Sequence, residues 1–419
     1  MPIFILLYLL LMSGASSLFA ETPIDSTSNM TKTFTLDELL SIALQHSQII
    51  KKGQGIVEQK EGDVLQASSY PNPTISLQGG RGSTRDPSMG TSITERYVTL
   101  SQPLEWPGTR QAEQHAAQAG IKSAEAGLAE NKLNVIAGMK NGFYDLLLRE
   151  RESALVQENI KTITQLQKAI KARVKAGEAP PFEAVKMKVE VLKVQKALIR
   201  TNGAIRSAKA KLNSLTAGRL GHAFSVRGEF ETRSHDLNST TLVEQSFFTH
   251  PALLKGQKRV EEAKERHQQE RQARIPNITL NGSYQRDIGR EAFIGGISFP
   301  IPLWNQRQGE IAQAKGRMRQ EEANLLGTRT RLQRGISQHI ENSKIAVAQI
   351  STYENGLLKQ AREALRIAQV SFKYGEASLL DVLDAQRILR ETQLEYMRAK
   401  YDLSIALTEL ERLTGKNLE

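Results

Sequence analysis

Apolar positions along the chain change their period several times, and each change marks an element. In "NITLNGSY" (277–284) Ile278, Leu280 and Tyr284 alternate with Thr279, Asn281 and Ser283; in "FIGGISFPI" (293–301) Phe293, Ile297, Phe299 and Ile301 share a side. Earlier, Ile75 and Leu77 alternate with Thr74, Ser76 and Gln78, and Val98 and Leu100 with Thr99 and Ser101. Period-two alternation predicts four short strands, each with one oily and one wet face. After Pro107 no proline occurs through Ala176, and none from Asn305 to Tyr374, while Ala, Gln, Glu, Lys, Arg and Leu abound. Both stretches predict helices of roughly 105 Å, at 1.5 Å per residue. Their faces are mostly small or charged with a limited apolar stripe, which suits a wall one helix thick.

The pattern is written twice. "VKAGEAPPFEAVKMK" (174–188) is echoed by "FKYGEASLLDVLDAQ" (372–386), with Gly177 and Gly375 198 positions apart, and "LNSLTAG" at 212 by "LERLTGK" at 410. "ALQHSQIIKK", with His46, matches "FFTHPALLKG", with His250; "YPNPTISLQGG" at 70 matches "IPNITLNGSY" at 275. Two internal repeats follow, 21–218 and 240–419, joined by an interrepeat segment 219–239. The first is expected to hold strands at about 73–80 and 93–104, a long helix at about 107–176 and a return helix at about 181–216. The second is expected to hold strands at about 277–285 and 292–302, a long helix at about 305–374 and a return helix at about 378–415. At the turns Gly177 and Gly375 can take the left-handed conformation that closes a helix. Pro180 and Pro181 can open one return helix, and Ser378 with Asp381 three residues later resembles a capping box for the other. Trp106 and Trp304 stand where a second strand hands over to a long helix, a place suited to a membrane interface or to plugging a junction.

Composition narrows the class. Only 39% of the 419 residues are hydrophobic and 5% aromatic, lean for large compact cores. Residues 1–20, "MPIFILLYLLLMSGASSLFA", have the layout of a cleaved secretory signal ending at Ala20, without a positive n-region; too few apolar residues precede Ser13 for a comfortable membrane anchor. Cysteine is absent, which excludes disulfides, thiolate metal sites and a lipid-acceptor cysteine. The net charge of +11 is scattered among acidic residues along the helices, which argues against nucleic-acid binding. The seven histidines, His46, His115, His222, His235, His250, His267 and His339, lack paired ligand spacing, and no nucleophile motif or phosphate loop occurs. Neither an enzyme, a cofactor nor a bound metal is expected.

Four one-sided strands cannot span a membrane alone, because open edges in lipid leave backbone groups unpaired. From "FTLDELLSIALQHS" to "ELERLTG", including the doubled tip and "FPIPLWNQRQGEIAQAKG", the chain resembles the outer-membrane factor (TolC) family. Within it, "LWNQRQGEIAQA" after a proline-rich strand end resembles the heavy-metal branch represented by CzcC. The resemblance implies a mainly α fold with a small β part: a homotrimer whose antiparallel helical hairpins form an α-barrel tunnel and whose four strands per chain build a twelve-stranded transmembrane β-barrel. It implies an outer-membrane channel reaching into the periplasm, to which residues 1–20 and the absence of cysteine add export by a signal and no lipidation. Its partners would be outer-membrane lipid, a periplasmic adaptor (membrane fusion protein) and an inner-membrane pump of the RND type, with divalent metal cations as cargo. The same conduit could serve drug efflux or type I protein secretion. A periplasmic coiled-coil adaptor or structural protein is the rival class, and it has no need of the strands.

The resemblance also marks Ala176, Gly177 and Pro181, with Tyr374, Gly375 and Leu379, as the adaptor-docking tip; the alternative is that the glycines merely end helices. Asp381 and Asp384, three apart on the return helix, would form two rings of carboxylates at a gate under threefold symmetry. For Asp381 plain capping competes with that role, and the first repeat offers Glu183 and Lys186 at the matching positions.

Overall fold

The structure is a computed structural model that describes residues 32–82, 88, 93–232, 239–287 and 290–415. The expected signal, residues 1–20, lies outside the described residues, as does His235. Strand β1 (Lys32–Phe34) leads into α1 (Leu36–His46), α2 (Gln48–Ser68), β2 (Thr74–Gly82), β3 (Ile93–Leu104), α3 (Pro107–Lys175) and α4 (Pro181–Leu215). Then come β4 (Phe224–Val226), α5 (Ser239–Thr249), α6 (Pro251–Gln272), β5 (Ile278–Asp287), β6 (Arg290–Ser298) and α7 (Gln308–Thr352). A π-helical turn (Tyr353–Leu357), α8 (Leu358–Tyr374) and α9 (Leu379–Thr414) complete the order. The fold is mostly helical with a small sheet.

Helix starts follow their sequences. Thr35 and Glu38 close a capping box on α1, prolines occupy the first turns of α3, α4 and α6, and His250 Nδ1 accepts from the Ala252 amide, 3.2 Å, to cap α6. Helix α3 packs against α2, α4, α6 and α9, and α7 bridges α6 and α9. Near the sheet, α3 buries Ala112, Ala116, Ala117, Ala119 and Gly120. Two sockets tighten the packing: a β-carbon on Gly53 of α2 would lie 2.9 Å from Leu128 of α3, and one on Gly256 of α6 2.9 Å from Leu325 of α7.

Apolar residues gather in three clusters along this length instead of one core. Around mid-α3, Met139, Phe143, Leu146 and Leu212 enclose Phe34 and Phe224, whose strands β1 and β4 pair in parallel. Leu332, Ile336, Ile340, Leu403 and Leu410 join α7 to α9. Towards the tips, Val156, Ile163, Ile170, Met187 and Leu379 tie α3, α4 and α9 together. There the helices stand in the order α4, α3, α9, α8.

The second sheet is antiparallel in the order β2-β3-β5-β6. Its register aligns Ile75 with Leu100, Leu77 with Val98, Val98 with Tyr284, Leu280 with Ile297 and Tyr284 with Phe293, so the alternating apolar residues fuse into one face. That face is open: Leu77 is 73% exposed, Ile297 66% and Phe293 87%. On the other face Ser101, Asn281 and Ser298 hydrogen-bond in a row at 2.8 and 3.0 Å. No helix among the described residues is long and apolar enough to cross a membrane.

Three expectations need correction. Strand β6 stops at Ser298 instead of 302, because Pro300 and Pro302 have no amide for a ladder; Phe299 and Ile301 therefore lie beyond the strand. The second long helix starts at Gln308, not 305, and is broken by the π turn. Each half, read from its repeat as opening on one helix before the first strand, opens instead on a pair, α1–α2 and α5–α6.

Candidate functional site

At the end of the molecule away from the sheet two hairpin turns lie side by side, with the Arg173 guanidinium 5.0 Å above the Phe372 ring. Their backbones agree. Gly177 has φ 76° and Gly375 φ 81°, and the residue after each glycine donates to a carbonyl five residues back, Glu178 to Arg173 and Glu376 to Ser371, both 2.9 Å. This closure satisfies helix-end carbonyls, and the left-handed residue in it is strained by a β-carbon. Nothing lies within 4 Å of a β-carbon on either glycine, so both turns are open to a partner. Ala176, Pro181 and Tyr374 are exposed beside them.

Leu379 differs from the other tip residues. It is 3% exposed and belongs to the apolar cluster, so it supports the tip from inside and Leu380 is the leucine that faces out.

The two candidate gate carboxylates are also unlike each other. Asp381 accepts from the Ser378 amide, 2.8 Å, and from its hydroxyl, 2.7 Å, while the Asp381 amide donates back to Ser378 Oγ. The hydroxyl and amide of Ser378 hold the carboxyl below the usual aspartate range. Asp384 pairs with Arg387 Nη2 at 2.7 Å, and Arg387 also reaches Glu391 at 3.2 Å. Both acids are therefore engaged locally, and any ring they formed would be one of paired charges. Glu183 and Lys186, expected to match them, lie in the first turns of α4; Lys186 and Asp384 line opposite sides of a groove between α4 and α9, floored by α3.

That groove holds residues that the sequence reading passed over. Glu152 of α3 is 8% exposed and takes Arg149 at 3.0 Å and Arg398 of α9 at 3.4 Å. One heptad further, Asn159 Oδ1 accepts from Gln386 Nε2 at 3.1 Å. These two links fasten the second hairpin to the first. The signal was present: 149, 156, 163 and 170 with 152, 159, 166 and 173 run at heptad spacing in α3, and Arg149, Glu152, Asn159 and Arg173 alternate there with the apolar Val156, Ile163, Leu166 and Ile170.

The outer helices carry exposed apolar stripes. Phe182, Val185, Val189, Leu192 and Ile199 run along α4 at near-heptad spacing; Ile367, Val370 and Tyr374 run along α8. Where α7 gives way to α8, Tyr353 bonds Glu395 and Tyr396 bonds Glu354, a crossed pair of hydrogen bonds holding the π turn to α9.

At the sheet end Trp106 and Trp304 both stand at strand-to-helix junctions. Trp304 is 88% exposed, so it plugs nothing within the chain; Trp106 is 39% exposed, with its amide bonded to Asn277 Oδ1. Among the described residues no group of three or more His, Asp or Glu side chains could hold a metal ion. Burial pushes His250 and His339 below the usual histidine range. His250 Nε2 lies 3.0 Å from the Arg412 carbonyl, completing its structural role.

Three comparisons bear on this geometry. The family model described as "Outer membrane efflux protein" matches residues 39–218 and 242–416. The chain is 23% identical over 386 residues to the cobalt-zinc-cadmium resistance protein CzcC of Cupriavidus metallidurans, covering 91% of this chain and 90% of that one. It is 21% identical over 384 residues to the pyoverdine export outer membrane protein OpmQ of Pseudomonas aeruginosa, covering 85% and 80%. A crystal structure of CusC superposes with a TM-score of 0.78 at 16% identity, covering 91% of this chain and 92% of that chain, so the two share a fold.

Proposed function

The chain belongs to the outer membrane efflux protein family, and from that premise we propose that it is the outer-membrane channel of a three-part efflux system for divalent heavy-metal cations. The observation that carries the channel reading is the sheet: its apolar face is open, and β2 and β6 each pair on one side only. In lipid an open edge costs several kcal/mol per unpaired group, so copies of the chain close the sheet. Three copies give twelve strands, a barrel wide enough for a wet lumen lined by the Ser101–Asn281–Ser298 face. The exposed stripes of α4 and α8 then meet between neighbouring copies, as the free edges of a helical wall do.

The two halves are internal repeats, 21–218 and 240–419, joined by 219–239; the paired sockets Gly53–Leu128 and Gly256–Leu325 support that division. Six tips around a threefold axis, two per chain, receive a periplasmic adaptor that connects to an inner-membrane pump. Ala176, Gly177, Pro181, Tyr374 and Gly375 form the contact, with Leu379 as its internal support. Asp381 and Asp384 stand at the mouth as the gate, and Glu152 and Asn159, which fasten α9 to α3, set how far the second hairpin stands from the axis. Residues 1–20 act as a cleaved export signal, and the mature chain, without cysteine, is not lipidated.

Cargo rests on the likeness to CzcC, whose name records cobalt, zinc and cadmium. The likeness to a pyoverdine exporter keeps organic cargo as the second reading. Fractionation with crosslinking tests the channel: three chains held in the membrane are expected, and a monomer released without detergent overturns it. Gene deletion tests the cargo: sensitivity to zinc, cobalt or cadmium supports metal export, whereas sensitivity confined to dyes and detergents transfers the assignment to drug efflux.

A further inference from the structure

We infer that the distal end of the sheet's apolar face is a binding surface for phosphate-bearing lipid headgroups, built from Arg81, Arg96 and Arg286. The inference rests on the reading that this face meets lipid. Arg96 and Arg286 are direct partners across β3 and β5, and Arg81 lies diagonal to Arg96 on β2, where Gly79 faces Arg96 and Arg81 faces Thr94. All three share the parity of Ile75, Leu77, Val98, Leu100, Leu280 and Tyr284, and all are exposed. Like charges directly opposite on neighbouring strands repel, so the arrangement is unfavourable unless an anion sits between them.

The chain supplies little of that anion. On this face Glu291 reaches Arg286 Nε at 3.3 Å, while Arg81 and Arg96 have no carboxylate partner among the described residues. Glu95 and Asp287 belong to the opposite parity. Three guanidiniums therefore face one carboxylate. Arg96 and Arg286 stand two residues beyond Val98 and Tyr284, about 7 Å along the strands, and Arg81 two residues further, at the rim of the apolar band farthest from Trp106 and Trp304. Arginine stems lie along apolar surface while their forks reach outward, and the fork matches phosphate in a bidentate way. A lipid surface offers the two features together, acyl chains against the band and phosphate at its rim.

The test uses the full-length protein purified in neutral detergent, with lipid retention counted by native mass spectrometry. Bisphosphorylated lipid A should be retained in preference to phosphatidylcholine and should not be displaced by millimolar inorganic phosphate. Arg96→Gln with Arg286→Gln should weaken retention about tenfold, the change that follows from losing one contact of about 1.4 kcal/mol. The doubly lysine-substituted chain, R96K/R286K, should keep part of the preference, and Arg81→Gln at the sheet edge gives a milder loss if the double variant does not assemble. Equal retention of phosphatidylcholine, displacement by free phosphate, or undiminished retention in both glutamine variants overturns the inference. A chain that needs no detergent overturns the membrane reading itself, whereas a membrane trimer indifferent to headgroup charge overturns only this surface.

Discussion

The first hairpin is built on α3, which runs 69 residues without a break, while the second reaches its tip through a π turn at Tyr353–Leu357. An extra residue in one turn of a helix rotates every later side chain, so the π turn re-aims α8 relative to α7. Its cost is offset by the crossed bonds Tyr353–Glu395 and Tyr396–Glu354 to α9. The first hairpin is consequently a continuous strut, and the second is a strut with a joint, held to the first by Glu152 and Asn159. Similar tips on dissimilar shafts teach that closure of the turn and stiffness of the arm are separate properties of this sequence.

The strongest way to break the comparison is to unfasten the arms. Glu152→Ala removes a buried carboxylate and its charge-assisted hydrogen bonds to Arg149 and Arg398, and should lower stability by about 1–3 kcal/mol. Thermal unfolding of the purified protein measures the loss, and conductance in planar bilayers should rise if the second arm swings free. Next come the tips: Gly177→Val and Gly375→Val should each cost about 1–2 kcal/mol, since a β-branched residue resists the left-handed conformation. Equal losses confirm that the tips are alike; trimers at normal levels with failed export and failed adaptor crosslinking confirm that they dock. A smaller difference separates the helix starts. Ser378→Ala removes the capping box of α9 and should cost about 1 kcal/mol, whereas Pro181→Ala removes no hydrogen bond from α4 and should cost less, as hydrogen exchange at the two starts would register.

Acid gives the smallest separation. Helix α2 begins at Ser47, which does not titrate, and α6 begins at His250, whose folded-state pKa is lowered by burial. The contribution of His250 is fully present above the ordinary histidine value and fades as pH falls through it towards the lower folded value, because the unfolded chain binds the proton first. Stability should therefore decline below about pH 6.5, and His250→Asn should flatten that decline in a pH series of melting temperatures. Asp381 follows the same sign at lower pH: its carboxyl is held low in the folded chain, so its contribution goes as pH drops beneath the ordinary aspartate range.

Much of the sheet was legible because alternation survives being read without coordinates: Ile75, Leu77, Val98, Leu100 and Leu280 land on one face once the ladder is formed. The tip glycines were legible because positive φ excludes most other residues. What escaped was short or conditional. Strands β1 and β4 have three residues each, too few to show a period, and pair across 192 positions. "TYENGLL" contains no proline, so nothing local announces the π turn. Phe299 and Ile301 extend the alternation past Ser298, but the prolines beside them end the ladder. Of the candidate site, Asp381 and the turns follow from local chemistry. Leu379 was misplaced as a surface contact because its exposure is decided by Ile170 and Met187, residues of other helices.

The central ladder of the sheet has a bearing on the order of folding. Strands β2 and β3 are separated by 10 residues, but β3 and β5 by 173, so closing the second loop from an unstructured chain costs about 2.5 kcal/mol more. Within that long loop α4 returns the chain as far as mid-α3, and α6, packed along α3, carries it the rest of the way to the sheet, reducing the search. Loop-closure entropy therefore favours an order in which the two β-hairpins form as separate ribbons, neither presenting a full apolar face, and fuse after the intervening helices have paired. A chain still in transit towards a bilayer is in this way kept from displaying its stickiest surface before the rest of the molecule is ready to carry it.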